Sequence, residues 1–254
     1  MTLRRRCEIV PFMKIIADLH AHTVASGHAY STVNELARAA ASKGLQAIAL
    51  TDHGPAIPGG PHLYHFGAMR FIPRIIEGVR ILTGVEANIL DSSGSLDLPD
   101  PYLARLEFVM AGLHEGCGFD HQGIDRNTEA VLSAMQNSRV KAISHPGNPV
   151  FPLHYEDIVK CAIATGTALE INNSSFGQSR TGSEPNCREL ARLIARYGAP
   201  VAVGSDAHIA QGVGEFADAL LLLAETGVTK EQVINSSLHR LTAFLGLQEA
   251  SGTK

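Results

Sequence analysis

A histidine-rich stretch near the amino terminus carries the strongest chemical signal in this sequence. The segment ADLHAHTVASGHAYS spans residues 17–31 and contains His20, His22 and His28. Imidazole rings serve as metal ligands, as catalytic bases or as ordinary surface groups, so the residue type alone leaves three interpretations open. The H-x-H spacing of His20 and His22 favours ligation, because residues two apart in a strand point to the same side.

Further histidines and carboxylates follow other short apolar runs at the same relative place. The nine candidate metal ligands are His20, His22, His28, His53, Glu86, His114, His145, Asp206 and His208. A single histidine behind a strand is more often a cap or a satisfied polar contact, but scattered histidines would not fall repeatedly at strand ends. The carboxyl ends of parallel strands in a barrel meet on one face, where active sites lie. The joint pattern therefore predicts a metal site.

The types of these residues indicate a catalytic metal site. Neutral imidazole and carboxylate suit zinc, manganese or iron. Nine ligands are too many for one ion, and at roughly three protein ligands per catalytic ion they could serve three. Glu86 could bridge two ions through its two oxygens. Multinuclear sites hydrolyse phosphoesters or amides, and the expected nucleophile is a metal-bound hydroxide rather than a side chain. No C-x-x-C pair supports a thiolate site, since the cysteines are Cys7, Cys117, Cys161 and Cys187.

The elements that must position these residues alternate along the chain. Seven nearly continuous apolar runs predict buried strands at 14–19, 47–51, 80–86, 107–113, 141–144, 167–172 and 200–205. Helical patterns occur at 31–44, 127–137, 155–166, 183–198, 214–227 and 229–246. The first of these opens with the capping-box spacing Thr32-x-x-Glu35. This alternation predicts an α/β fold with parallel strands. The absence of a glycine-rich fingerprint after the first strand disfavours a dinucleotide fold and favours a closed or distorted barrel.

Composition narrows the class of protein and its partners. The 254 residues are 45% hydrophobic and 18% charged, as in a globular chain with one barrel domain. The net charge of −4 provides no basic field, so a nucleic acid partner is not expected. The scattered cysteines and the lack of an apolar run of ~20 residues predict a cytoplasmic protein without a membrane span. We expect residues 1–12 to form a loose tail and residues 13–254 a single domain.

The motifs DLHAHTVASGHAYS, TDHGP, GVEANI, GLHE, ISHPGNP and GSDAH together resemble the PHP (polymerase and histidinol phosphatase) family. The motifs look particularly like those of its small YcdX-type phosphatases, and the resemblance runs from Lys14 to Leu247. It implies a distorted (βα)7 TIM-like barrel with a trinuclear site at the C-terminal ends of the strands. Three divalent ions are expected, zinc first, with manganese or iron as alternatives. By this resemblance, the first ion takes His20, His22 and Asp206, with Glu86 as a bridge; the second takes His114 and His145; the third takes His28, His53 and His208.

The resemblance also implies a phosphatase that acts on a small phosphorylated substrate. Candidate substrate contacts on loops behind the strands are Arg180, Arg70, His62, His65 and Asn173. The arginines could donate two hydrogen bonds to a phosphate, although an arginine on a loop is usually solvated. For His62 and His65, a loop without chemistry is the alternative.

Two further carboxylates have candidate supporting roles. Asp18 and Asp52 directly precede ligand positions, and they either support a histidine N–H or pack against the helices.

Three alternative functions are open. A PHP-type nuclease or phosphodiesterase is a first alternative, although it would favour a basic, aromatic-lined groove. A histidinol-phosphatase-like enzyme is a second alternative, because the choice of substrate depends on the shape of the loops, which the sequence does not show. A non-catalytic metal-binding regulatory module is a third.

Overall fold

Seven parallel strands and one short antiparallel strand form a single sheet in the computed structural model, which describes residues 13–248. The strands are β1 Ala17–Asp18, β2 Ala47–Leu50, β3 Ile75–Ile76, β4 Val79–Asn88, β5 Phe108–Gly112, β6 Val140–Ile143, β7 Ala168–Asn172 and β8 Val201–Gly204. The parallel strands lie side by side in chain order, and β3 pairs only with β4. The predicted α/β barrel-like sheet is confirmed. The predicted loose tail, residues 1–12, lies outside the described residues.

The sheet curves until its first and last strands nearly meet. At the carboxyl ends, Ala21 and Ala207 form a parallel bridge. Deeper in the barrel, the buried side chain of Asn235 fills the gap between β1 and β8. Its Nδ2 donates to the carbonyls of Ala17 and Val203, both at 2.8 Å, and its Oδ1 accepts from the Val203 amide. Asn235 therefore replaces the backbone hydrogen bonds that would close the barrel.

Helices cover the outside of the sheet and one end of the barrel. They are α1 Val33–Ser42, α2 Leu63–Ala68, α3 Asp100–Leu103, α4 Ile124–Ala134, α5 Tyr155–Thr165, α6 Glu184–Tyr197, α7 Ala217–Thr226 and α8 Leu238–Leu245. The predicted capping box opens α1, because the Thr32 hydroxyl accepts from the Glu35 amide and the Glu35 carboxylate accepts from the Thr32 amide. Helices α5, α6 and α7 each end at a left-handed glycine, at Gly166, Gly198 and Gly227.

Alternate residues of each strand divide the core into two layers. In β2, Ala47 and Ala49 belong to the inner cluster, whereas Ile48 and Leu50 pack in the outer cluster under the helices. Leu241 of α8 joins the inner cluster, and through these apolar contacts α8 covers one end of the barrel.

The inner layer becomes polar towards the carboxyl ends of the strands. Leu82 and Glu86 share one face of β4, and Ala168 and Glu170 share one face of β7, because residues an even number apart point the same way. Leu82 and Ala168 lie in the apolar inner cluster. The same rows therefore carry the buried carboxylates of Glu86 and Glu170 above it.

The structure differs from the predicted elements at several places, and the short helices α2 and α3 are among the elements that were not predicted. The predicted helix 229–246 is wrong over residues 229–237, because Asn235 pairs with the sheet and the Ser237 side chain begins α8 by accepting from the Arg240 amide. The antiparallel strand β3 was not predicted. A turn with positive φ at Glu77 (52°) and Gly78 (76°) reverses the chain there. Between residues 13 and 248, no helix is long and apolar enough to cross a membrane.

Candidate metal centre

The structure brings the predicted metal ligands together at the carboxyl ends of the strands. Six of the nine side chains are buried, His114 and His208 are half-buried, and His28 is exposed. The ligand atoms of seven of them form three groups, each within 4.8 Å: His20 with His22 and Asp206, His53 with Glu86 and His114, and His22 with His53 and His208. His145 joins them through Glu86, so residues from six strand ends share one small volume.

Glu86 lies at the centre of this cluster, and its two oxygens face different histidines. Oε2 lies 3.1 Å from Nε2 of His20 and 3.2 Å from Nδ1 of His53. Oε1 lies 3.1 Å from Nε2 of His114 and 2.7 Å from Nε2 of His145. A carboxylate with separate nitrogen sets on each oxygen has the geometry of a bridging ligand.

His20, His22 and Asp206 form the most deeply buried group. The Nε2 atoms of His20 and His22 are 3.1 Å apart, and Oδ1 of Asp206 lies 3.5 Å and 3.2 Å from them. Three ligand atoms therefore converge on one point beside Oε2 of Glu86.

The outer part of the cluster is formed by His28, His53 and His208. The ring of His28 lies 4.8 Å from that of His208 and 5.2 Å from that of His53, measured between centroids. His53 also faces Glu86, so it lies between the places expected for the second and third ions. The resemblance assigned it to the third ion alone, whereas the structure groups it both with Glu86 and His114 and with His22 and His208.

Buried acceptors fix the orientation of the two innermost imidazoles. Nδ1 of His20 lies 2.8 Å from Oε1 of Glu170. Nδ1 of His22 lies 3.2 Å from Oγ of Ser26, whose hydroxyl donates to Asp52 at 2.7 Å. Because each Nδ1 hydrogen is taken by an acceptor, each Nε2 is left with a free lone pair directed into the cluster. Asp52 therefore supports a ligand histidine, through Ser26.

Glu170 is a functional candidate that the sequence analysis missed. Besides His20, its carboxylate accepts from the His145 amide at 2.7 Å and from Nδ2 of Asn172 at 3.1 Å. Strand β7 was the only predicted strand without a ligand. The available signal was the two-residue spacing of Glu170 and Asn172, which places both polar side chains on the inner face.

The side chain of Asp18 forms hydrogen bonds with backbone amides rather than with a histidine ring. Its carboxylate accepts from the amides of His20, Ser205 and Gly214, at 3.3, 3.0 and 2.9 Å.

Next to Ser205, Asp206 has a φ of 59°, a left-handed conformation that non-glycine residues rarely adopt. His145 has a φ of 32°. Strained backbone of this kind gathers at functional sites.

The site holds Glu86, His53 and His145 in the protonation states that metal ligands need. Burial alone would raise the pKa of Glu86, but His20 and the other surrounding histidines hold that pKa well below its ordinary value. Burial lowers the pKa of His53 well below that of free histidine. Burial, with the charge of Arg180, lowers the pKa of His145 to about 4. At neutral pH Glu86 is therefore ionised, and the rings of His53 and His145 are neutral.

The donor set fits divalent transition metals. Nδ1 of His114 and Oδ1 of Asp206 are buried without a hydrogen-bond partner among the described residues, and Nδ1 of His53 approaches Glu86 without hydrogen-bond alignment. Although burial opposes it, neighbouring carboxylates raise the pKa of His20 well above its ordinary value, so positive charge is favoured at this point. Imidazole nitrogens and carboxylate oxygens are ligands that zinc, manganese and iron accept.

A cleft of about 440 Å³ opens over the cluster, and Arg180 lines it. Nη2 of Arg180 donates to Oδ2 of Asp206 at 2.8 Å, while Nη1 is buried and has no partner in the described part of the chain. Of the five predicted substrate contacts, Arg180 is the one whose side chain lines this cleft.

The other four lie outside the cleft lining, because their side chains have other partners. His62 begins α2 by accepting from the Tyr64 amide, and Nε2 of His65 lies 3.0 Å from Asp52. The guanidinium of Arg70 stacks on the ring of Phe71, 4.4 Å from its centroid. Oδ1 of Asn173 accepts from the amides of residues 218 and 219 at the start of α7.

This fold and this cluster define a class, the α/β barrels with a histidine–carboxylate centre at the carboxyl ends of their strands. The chain belongs to the PHP family. The PHP domain model matches residues 18–174, and the PHP-associated model matches residues 184–236.

Curated relatives cover nearly the whole chain. A protein of Syntrophotalea carbinolica named "Probable phosphatase" is 50% identical over 235 residues, which are 92% of this chain and 98% of that one. A probable phosphatase of Thermoanaerobacter sp. is 47% identical over 233 residues, 92% of this chain and 95% of the relative.

Solved structures agree on the fold. The histidinol phosphate phosphatase of Lactococcus lactis, complexed with zinc, L-histidinol and phosphate, superposes with a TM-score of 0.60 at 19% identity over 84% of this chain and 94% of that one. A putative histidinol phosphatase of Listeria monocytogenes has a TM-score of 0.58 at 16% identity over 80% and 99%. At these identities the likeness supports the barrel architecture alone.

Proposed function

We propose that the chain is a metal-dependent phosphatase that hydrolyses esters of phosphate at a trinuclear centre. One observation carries the proposal: the two oxygens of the buried Glu86 face separate sets of ring nitrogens, beside a cleft lined by Arg180, whose Nη1 has no hydrogen-bond partner among the described residues. The names of the curated relatives agree with this activity.

The nine residues divide among three ions in the proposed centre. His20, His22 and Asp206 would hold the first ion, and His114 and His145 would hold the second, with Glu86 shared by these two ions. His28, His53 and His208 would hold the third. Zinc is the proposed metal, because the donors suit it and the Lactococcus lactis protein was solved with zinc. Bound ions of this kind activate water and offset negative charge on a phosphate.

Arg180 positions the phosphate in this proposal. Asp206 holds one guanidinium nitrogen at 2.8 Å, and the free Nη1 donates to a phosphate oxygen. The pairing also keeps the guanidinium in place before substrate arrives, so little side-chain entropy is lost on binding. The cleft of about 440 Å³ fits a small phosphorylated molecule.

Metal analysis combined with a phosphatase assay tests the proposal. Protein purified without chelator and reconstituted with zinc should contain two to three ions per chain and hydrolyse p-nitrophenyl phosphate. His22→Ala and Asp206→Ala should each abolish hydrolysis and lower the metal content. His154→Ala, at an exposed histidine paired with Asp125, is the matched control and should leave both unchanged.

Three results would overturn the proposal. A metal content near zero after reconstitution would remove the centre. Full metal content with no turnover of a broad phosphoester panel would favour a regulatory module. Degradation of a labelled single-stranded nucleic acid without turnover of monoesters would favour the nuclease alternative.

A further inference from the structure

Two kinds of residue line the cleft at the candidate metal centre. Members of the histidine–carboxylate cluster line it together with Arg180. The apolar residues Ile57, Leu113, Val150 and Phe151 line it as well, with the carboxylate of Glu115, and we call these five residues the wall of the cleft. A ligand whose phosphate contacts the cluster and Arg180 would therefore meet apolar side chains and one carboxylate with its organic group.

The charges along this wall are one-sided. Of the described residues that line the cleft, Arg180 is the sole lysine or arginine, and Asp206 already pairs with it. Glu115 is exposed, and within residues 13–248 its carboxylate makes neither an ion pair nor a hydrogen bond. Nothing on the wall could compensate a second anionic group on the ligand, and Glu115 would repel it.

We propose that the cleft selects phosphate monoesters whose organic group is uncharged or cationic, and that Glu115 is a specificity determinant. This inference rests on the proposed phosphatase function. An apolar organic group binds more tightly when it leaves water and contacts Ile57, Val150 and Phe151. A second anion would lose water without gaining a cationic partner and would face a like charge, which costs affinity and disfavours such substrates.

Three aryl phosphates of nearly equal size test the inference. They are 4-methylphenyl, 4-(aminomethyl)phenyl and 4-(carboxymethyl)phenyl phosphate, in which the methylene group keeps the phenol leaving groups alike. With zinc-loaded enzyme, kcat/KM for the carboxymethyl ester should be at least about 10-fold below that for the methyl ester, because like charges oppose its binding. The aminomethyl ester should match or exceed the methyl ester.

Two variants assign the effect to the wall of the cleft. Glu115→Gln should reduce the discrimination against the carboxymethyl ester to within about threefold, because it removes the opposing charge and keeps the shape. Val150→Lys, at a side chain that is 38% exposed, should raise the relative rate of the carboxymethyl ester. Glu129→Gln, the same change on the exposed surface of α4, should leave the ratio unchanged.

The outcomes separate this inference from the proposed function. Equal kcat/KM for the three esters in the wild type would overturn the selectivity while the phosphatase function stands. Unchanged discrimination in Glu115→Gln would overturn the role of Glu115. No hydrolysis of any ester by fully metal-loaded enzyme would overturn the proposed function and the selectivity with it.

Discussion

Replacement of Glu170 by glutamine should weaken metal binding without unfolding the protein. The carboxylate accepts three hydrogen bonds, from Nδ1 of His20 at 2.8 Å, from the His145 amide at 2.7 Å and from Asn172 at 3.1 Å. Glutamine keeps the volume but exchanges one acceptor oxygen for an NH₂ group. That group must then face a donor, either the ring N–H of His20 or the amide of His145.

Either arrangement disturbs a ligand position. If the NH₂ group faces His20, the ring must move its proton to Nε2, where the proton blocks ligation. If it faces His145, a buried donor is left without an acceptor. Loss of such a supporting partner typically lowers metal affinity by about 10–100-fold, which corresponds to about 1.4–2.7 kcal/mol.

A competition titration of zinc against a chromophoric chelator measures this change directly. The Glu170→Gln variant should show the weakened affinity, and a ¹⁵N–¹H NMR spectrum should report a changed His20 tautomer. Glu129→Gln on the exposed surface of α4 should titrate like the wild type. Zinc affinity of Glu170→Gln within twofold of the wild type, with an unchanged His20 tautomer, would refute the reasoning.

Three further predictions address the barrel closure, the packing and the cleft. Asn235→Ala should lower the free energy of unfolding by about 3 kcal/mol, since three buried backbone groups lose a partner, and calorimetry should show a melting temperature about 6–12 °C lower. Gly204→Ala should destabilise by about 1–3 kcal/mol in denaturant titrations, because a Cβ there would lie 2.4 Å from Oε1 of Glu170, whereas Gly177→Ala, 3.5 Å from its nearest neighbour, should not. Arg180→Lys should raise KM for phosphate monoesters about 10-fold, because lysine lacks the planar fork, and an unchanged KM would contradict this role.

The positions of the predicted ligands could be anticipated because two simple rules act together. Buried parallel strands are visible as apolar runs, and their carboxyl ends must meet on one face. His20, His53 and His145 are therefore brought together although they lie far apart in the chain, and no knowledge of their exact rotamers is needed.

The remaining features depend on partners that the local sequence does not show. Glu170 makes its contact with His20 across 150 positions of the chain, and only the closed sheet joins them. Asn235 lies in a helix-like sequence pattern, but its side-chain amide stabilises the fold more by hydrogen-bonding between β1 and β8 than the residue would in a helical turn. The loop position of Arg70 suggested the cleft, yet its stacking on Phe71 holds it elsewhere.

Glu170 also explains how the barrel holds strained backbone at the candidate centre. His145, with a φ of 32°, and Asp206, with a φ of 59°, each adopt a conformation that costs about 1–3 kcal/mol. The His145 amide is held by Glu170, and the Asp206 amide donates at 2.8 Å to the carbonyl of His20, whose ring is held by the same carboxylate. One side chain in the inner row of β7 thus constrains ligands from three strand ends. Because they share this support, substitutions at Glu170 and at His20 should not add, and a double-mutant cycle on zinc affinity should show a coupling of about 1 kcal/mol or more.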